Sequence, residues 1–297
     1  MLHIQIQTTS VCNARCLMCP YSTSWHKKNP GRMEENLYEK ILDDLEHYQV
    51  GKFCLYLMNE PLADKRWMDW AARAIKRLRF ERFELSTNAS LLTPARSAQL
   101  CELLQGVPHE VWISFQGCDK ESYERIMGLD FDVTLRNLGA FVANAQQSGV
   151  QFRVHTTAAP INKDSGRSAF FSRDDFVQFM NRFADEHGLS RFPLLYYRYH
   201  DRAGNLKNKD YTFSFHRESL ESFYCCRVDT WLHVQYTGEI VTCCHDYYRE
   251  NILGDLRVQS IKDYFKSERW RTFRDQVFGR VPSPENFICK RCLGVGG

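Results

Sequence analysis

Apolar and polar residues alternate from the start of the chain: Ile4 and Ile6 are set against His3, Gln5 and Gln7. A period of two predicts a strand over residues 2–8. Met33, Leu37, Ile41, Leu42 and Leu45 then recur at three- and four-residue spacing, the signature of a helix with one buried face. Residues 52–57 read as a strand, about 66–78 as a helix and 82–86 as a short strand. Thr93-Pro94 opens another helix, a capping threonine followed by proline at the first helical position. A strand follows over 111–115, then helices over about 120–127 and 133–148, with Gly149 as the stop. Residues 150–157 are strand again, about 173–187 helix, and 194–199, after Pro193, strand.

Six strand-then-helix units without internal repeat predict a parallel sheet with helices outside it. The expected fold class is α/β, with residues 1–200 forming an open, partial (β/α)6 barrel. Chemistry in such folds sits where strands end. A cysteine-rich loop at 12–19, Asn59-Glu60, Ser86 to Asn88 and Ser114 to Gly117 all fall there. Residues 201–222 are polar and poor in pattern and read as a linker. The tail, 223–297, reads as a small α+β module: Trp231, Val234 and Tyr236 lead to a Thr237-Gly238 hairpin turn, and a return strand starts at Ile240.

Composition narrows the class. Of 297 residues, 43% are hydrophobic and 25% charged, an ordinary globular balance. A net charge of +3 gives no dedicated nucleic-acid surface, and no partner of that kind is expected. No window reaches the roughly 18 apolar residues that span a bilayer, and no signal-peptide pattern precedes the first strand. No membrane partner is expected. Twelve cysteines without a secretion signal predict metal ligation in a reducing compartment, the cytoplasm, rather than disulfides.

Three of those thiols, Cys12, Cys16 and Cys19, stand at C-x3-C-x2-C in the loop leaving the first strand. Soft sulfur ligands select iron–sulfur clusters or zinc. Three is one short of a four-iron cluster's usual set, which leaves one iron open. A structural zinc site or simply buried thiols would use the same residues. In its place after strand one, the loop resembles the signature of the radical S-adenosylmethionine (SAM) superfamily. The resemblance implies a [4Fe–4S] cluster whose open iron is chelated by SAM. It also implies reductive cleavage to a 5'-deoxyadenosyl radical and hydrogen abstraction from substrate, with an external one-electron reductant such as flavodoxin or ferredoxin. It assigns Asn59 and Glu60 to the methionine amino group, with Asn59 standing where the family has glycine. Ser86, Asn88 and Ser114 go to the carboxylate and ribose, and Met18 to the adenine. Many relatives place an arginine where this chain has Met127; Arg125 is a weak substitute.

The tail carries Cys225, Cys226, Cys243, Cys244, Cys289 and Cys292. Its spacing resembles the SPASM/twitch extension of radical SAM enzymes, which implies one auxiliary [4Fe–4S] cluster on Cys225, Cys243, Cys289 and Cys292. Cys226 is an alternative to Cys225, and four thiolates also suit structural zinc. Cys54 and Cys101 read as buried thiols, and Cys118 lies nearer the rim. Cys244 adjoins a ligand on a presumed strand, where neighbours point to opposite faces. It is therefore expected to face the active site as a hydrogen-atom donor, or to be an inert packed thiol.

The resulting expectation is an enzyme acting on an unactivated C–H bond. Epimerisation of an aminoglycoside or related sugar, with Cys244 as donor, is favoured over dehydrogenation of an aminocyclitol or modification of a ribosomal peptide. The direct start at strand one favours a small polar substrate, which Tyr196, Arg198 and His200 would meet from one strand face. A non-catalytic electron carrier or zinc protein is the reading from another class.

Overall fold

The computed structural model describes residues 1–157, 161–162, 171–197, 199–206, 211–212 and 219–295. Strand β1 (Leu2–Ile6) leads through the cysteine loop to a short helix, α1 (Trp25–Lys28), and then to α2 (Glu35–Leu45). β2 (Val50–Cys54), α3 (Trp67–Arg77), β3 (Phe80–Thr87), α4 (Pro94–Leu103) and β4 (His109–Ser114) follow. Helices α5 (Lys120–Met127) and α6 (Phe131–Ser148) then lead to β5 (Phe152–Thr157). β6 (Ile161–Asn162), α7 (Arg173–Glu186), β7 (Leu194–Tyr197) and β8 (Tyr211–Thr212) come next, with β6 and β8 paired as a small ribbon. The tail holds α8 (Cys226–Asp229), β9 (Trp231–Val234), β10 (Glu239–Val241), β11 (Ile252–Asp255), α9 (Ile261–Lys266), α10 (Glu268–Val277) and α11 (Ile288–Leu293).

Local chemistry explains the boundaries. Thr93 caps α4 ahead of Pro94. Asp119 and Ser122 form a reciprocal capping box on α5, which Gly128 ends at φ 64°. Asp130 caps α6, and Gly149 stops it at φ 74°. Each such cap contributes about 1 kcal/mol. Leu37, Ile41, Leu42 and Leu45 of α2 are buried, as their spacing predicts, and Tyr38 is buried beside them. Tyr38 stacks on Trp70 at 4.2 Å and donates its hydroxyl to the Trp70 carbonyl at 2.7 Å, locking α2 to α3.

One sheet of nine strands runs β11-β10-β9-β1-β2-β3-β4-β5-β7. β1 to β5 and β7 pair in parallel, which makes the partial barrel. After β7 the described residues 199–206 are turn and loop, with no helix among them. The tail is not a detached body: β9 pairs in parallel with β1, His3 opposite Trp231 and Ile6 opposite Val234. No described helix is long and apolar enough to cross a membrane.

Strand alternation decides what the barrel encloses. Phe83, Leu85, Val111, Ile113 and Val154 are fully buried in the hydrophobic core. The alternating set, Lys52, Glu84, Ser86, Trp112, Ser114, His155 and Thr157, lines a cavity. Polar residues at every second position thus keep the barrel centre open. At the rim, Gly117 is required by contact, since a Cβ there would come within 2.6 Å of the Tyr123 backbone and push α5 off β4.

Candidate active site

The cysteine loop is held by its backbone. Arg15 and Leu17 donate N–H bonds to the Met127 and Ile126 carbonyls at 2.8 Å, strapping the loop to the end of α5. Tyr21 accepts the Cys12 N–H at 2.8 Å and donates to the Ser10 carbonyl at 2.9 Å. Arg66 clamps the other side, donating to the Met33 carbonyl at 2.9 Å while bridging to Asp64 at 2.8 Å.

Cys12, Cys16 and Cys19 open on one cavity of about 180 Å³. Met18, Asn59, Glu60, Ser86, Asn88 and Ser114 line the same cavity, so every residue assigned to SAM from sequence is brought to it. Burial, then the Glu60 carboxylate, pushes the Cys12 thiol up to about 12, and burial with the two neighbouring thiols drives Cys16 up as well. Such buried neutral thiols are poised to exchange protons for soft metal. The Asn59 side-chain nitrogen is buried with no partner, as expected of a donor waiting for a ligand.

Glu60 does more than sequence suggested. It accepts from Thr87 Oγ1 at 2.6 Å, the Asn88 N–H at 2.8 Å and the Leu62 N–H at 3.2 Å. Burial nonetheless raises it to about 7, against the pull of those bonds. Asn88 in turn donates to Asn13 Oδ1 at 3.0 Å, which ties the end of β3 to the cysteine loop. Ala89, just beyond, is held at φ 61°, a strained position stabilised by this network.

A second cavity of about 610 Å³ shares Asn59, Ser86, Ser114, His155, Thr157 and Arg202 with the first. It runs down to Glu84, which pairs with Lys52 at 3.2 Å and accepts from the Tyr56 hydroxyl. Cys244 lines it, beside His245 and Tyr247. The expected strand alternation is not what turns Cys244 inward. β10 ends at Val241, and Cys243 and Cys244 lie in the turn beyond it. Ser114 and His155 meet at 2.8 Å, and burial lowers His155 to about 4.

Several sequence assignments need correction. Arg125 is exposed and does not line this cavity of about 180 Å³. The strand face meeting the larger cavity presents Tyr197, followed by His200; Tyr196 packs away from it, against the Phe171 carbonyl. Arg198 lies outside the described residues. Arg202, His155 and Thr157 were missed, and Gln116 was placed at the rim without a role. Arg202 sits in the segment read as a linker, where no periodic signal marks it.

The tail cysteines form a nest from three separate segments. Cys225 caps α8, Cys243 lies in the turn after β10, and Cys289 and Cys292 stand on α11. Burial raises Cys289, and Cys225 and Cys292 push it further, so these thiols lie near one another. Cys243 is raised by burial and by Cys244 and Cys289. Cys226 is exposed. The His245 N–H points to Cys243 Sγ at 3.4 Å. His200, His245 and Cys292 also bring three donor atoms within 4.8 Å of one another, a set the cysteine spacing did not reveal.

An open parallel barrel with three sulfurs at its mouth and a thiol-rich module hydrogen-bonded to its first strand defines an iron–sulfur enzyme class. The Radical SAM superfamily profile matches residues 6–153, and the SPASM profile, an iron–sulfur cluster-binding domain, matches residues 225–293. The chain belongs to the radical SAM superfamily and carries a SPASM domain, and its cofactors are a [4Fe–4S] cluster with SAM and auxiliary iron–sulfur. It is 36% identical over 104 residues to a tungsten-containing aldehyde ferredoxin oxidoreductase cofactor-modifying protein of Pyrococcus furiosus, covering 35% of this chain and 28% of that one. It is 28% identical over 159 residues to an S-adenosyl-L-methionine-dependent 2-deoxy-scyllo-inosamine dehydrogenase of Niallia circulans, covering 49% of this chain and 62% of that one. The chain thus spans under two thirds of both curated relatives. Among solved structures, BtrN in complex with AdoMet and 2-DOIA superposes with TM-score 0.56 at 17% identity, over 94% of this chain and 89% of that one. Streptococcus suis SuiB bound to precursor peptide SuiA gives 0.62 at 16%, over 92% and 66%. At these identities the likeness is one of fold.

Proposed function

We propose that this enzyme removes a hydrogen atom from a C–H bond of a small polar substrate and returns one to the opposite face, with Cys244 as donor. The carrying observation is that Cys244 lines the larger cavity, which shares walls with the SAM cavity. In this reading Cys12, Cys16 and Cys19 hold the SAM-binding cluster, and Cys225, Cys243, Cys289 and Cys292 the auxiliary one. With SAM and its cluster bound there, the site would be supplied with hydrogen-abstracting radical chemistry. Cys244 then gives its S–H hydrogen to the substrate carbon and is left as a thiyl. One electron from an external one-electron reductant and one proton restore the thiol, and the neighbouring Cys243 offers the electron a short route. Glu84, Lys52, Tyr56 and Trp112 present hydrogen-bonding groups and an aromatic face to a sugar-sized molecule.

Dehydrogenation of an alcohol is the second reading. It is favoured by the relative named as a 2-deoxy-scyllo-inosamine dehydrogenase and by His245, which lines the cavity while touching Cys243. Turnover in deuterated water separates the two. Epimerisation gives product of unchanged oxidation level carrying one deuterium at carbon; dehydrogenation gives product two mass units lighter with none. Cys244→Ala should still form 5'-deoxyadenosine but little inverted product. Wild-type yields of inverted product from this variant would sink the donor role.

A further inference from the structure

We infer that Arg202 is the cation that holds the SAM carboxylate, and that the iron–sulfur module of the tail sets its position. This rests on reading the smaller cavity as the SAM site. A bound amino-acid zwitterion needs one anionic and one cationic partner. Among the described residues lining that cavity, Glu60 is the acid and Arg202 the base. Helix α5 supplies no guanidinium there: Met127 occupies its last position, its sulfur 3.6 Å from Cys16 Sγ.

Arg202 is poised for a ligand. Its Nε is buried with no hydrogen-bond partner. Beyond the cost of burial, the groups that act most on its charge are phenols and thiols, Tyr247, Cys19, Cys244 and Tyr199. A half-satisfied guanidinium in such a place is costly, and a carboxylate meets its planar fork with two parallel bonds.

The backbone that delivers it is strained and held from the tail. Arg202, Ala203 and Gly204 are all left-handed, at φ 57°, 60° and 73°. For the two non-glycine residues that costs roughly 1–2 kcal/mol each. Compensation comes from outside the barrel. Arg291 Nε donates to the Ala203 carbonyl at 3.2 Å, and Asn205 Nδ2 to the His245 carbonyl at 2.8 Å. The Arg202 N–H donates to His200 Nδ1 at 2.9 Å. Arg291 is the neighbour of Cys292 on α11, and His245 follows Cys243 and Cys244. The segments carrying the tail thiols therefore hold the turn that aims Arg202, and Arg291 is a positioning residue.

The test is calorimetry on anaerobically iron-reconstituted full-length protein, with SAM and with decarboxylated SAM. Wild type should prefer SAM by about 10- to 100-fold, the worth of hydrogen bonds to a charged group. Arg202→Gln, with unchanged iron content, should shrink that preference about tenfold, leaving the share that the cluster iron supplies by binding the carboxylate, and Arg202→Lys should recover part of the loss. Arg291→Ala should weaken SAM but not its decarboxylated form, and should add nothing to Arg202→Gln, the coupling a purely structural role would not produce. If Arg202→Gln keeps the wild-type preference, Arg202 serves the substrate or offsets cluster charge instead and the inference falls. If Arg291→Ala adds independently, control from the tail falls. Should iron-loaded wild type bind neither compound, the reading of the cavity itself fails.

Discussion

The two thiol sites are built in opposite ways. Cys12, Cys16 and Cys19 lie within one loop, strapped to α5 by backbone bonds, and open on a cavity. Cys225, Cys243, Cys289 and Cys292 come from three segments, with Cys289 buried on α11. A site that must leave one metal position for a cofactor is best set on a preformed loop. A site that fills its own coordination sphere can serve as a staple, since its ligands converge only when the segments have folded together. The first should fail in chemistry and the second in stability.

The strongest way to break that contrast is Cys12→Ala/Cys16→Ala/Cys19→Ala. Iron should fall from about eight to about four atoms per chain, with all 5'-deoxyadenosine formation lost and the melting temperature nearly unchanged. A large drop in melting temperature would erase the contrast. Cys289→Ala should also leave about four iron atoms, but cost several kcal/mol in denaturant unfolding, as loss of a structural metal site does.

Glu60→Ala sharpens the picture of the first site. It strands the donors of Leu62, Thr87 and Asn88, so stability should fall about 2–3 kcal/mol. SAM affinity should fall about 10- to 100-fold by calorimetry while iron is retained. Unchanged affinity would leave Glu60 only as a brace between β2 and β3.

The smallest effect probes the seam between the two regions. His26 is buried and meets Gln235 at 3.3 Å; burial, then Arg249, lowers it from 6.5 to about 4. The unfolded chain therefore binds a proton before the folded one does. Stability is full above pH 6.5 and lost as pH falls toward 4, by up to ~1.4 kcal/mol per pH unit for this group. His26→Gln should flatten that part of the urea-midpoint profile; an unaltered slope would free His26 of the role.

Most barrel elements were legible because their signals are local. Residues 120–127 carry a capping aspartate and a stopping glycine at either end, and the helix occupies that span. The C-x3-C-x2-C loop needs no partner from elsewhere in the chain. Arg202 was not legible, since its importance comes from a turn braced by Arg291 and His245, residues 40 to 90 positions away. The direction of Cys244 was expected from a strand pleat and is delivered by a turn. The pairing of β9 with β1 was hidden for the same reason: parallel partners some 228 residues apart leave no local trace.

That last pairing has a consequence for the chain while it is being made. β1 emerges from the ribosome ahead of its sheet neighbours, and the one on one side, β2, follows within fifty residues. Its other edge must wait for Trp231–Val234. Until then the strand that feeds the cysteine loop presents a row of unpaired N–H and C=O groups, open to any passing strand. The nascent barrel is thus an adhesive intermediate until β9 closes its edge.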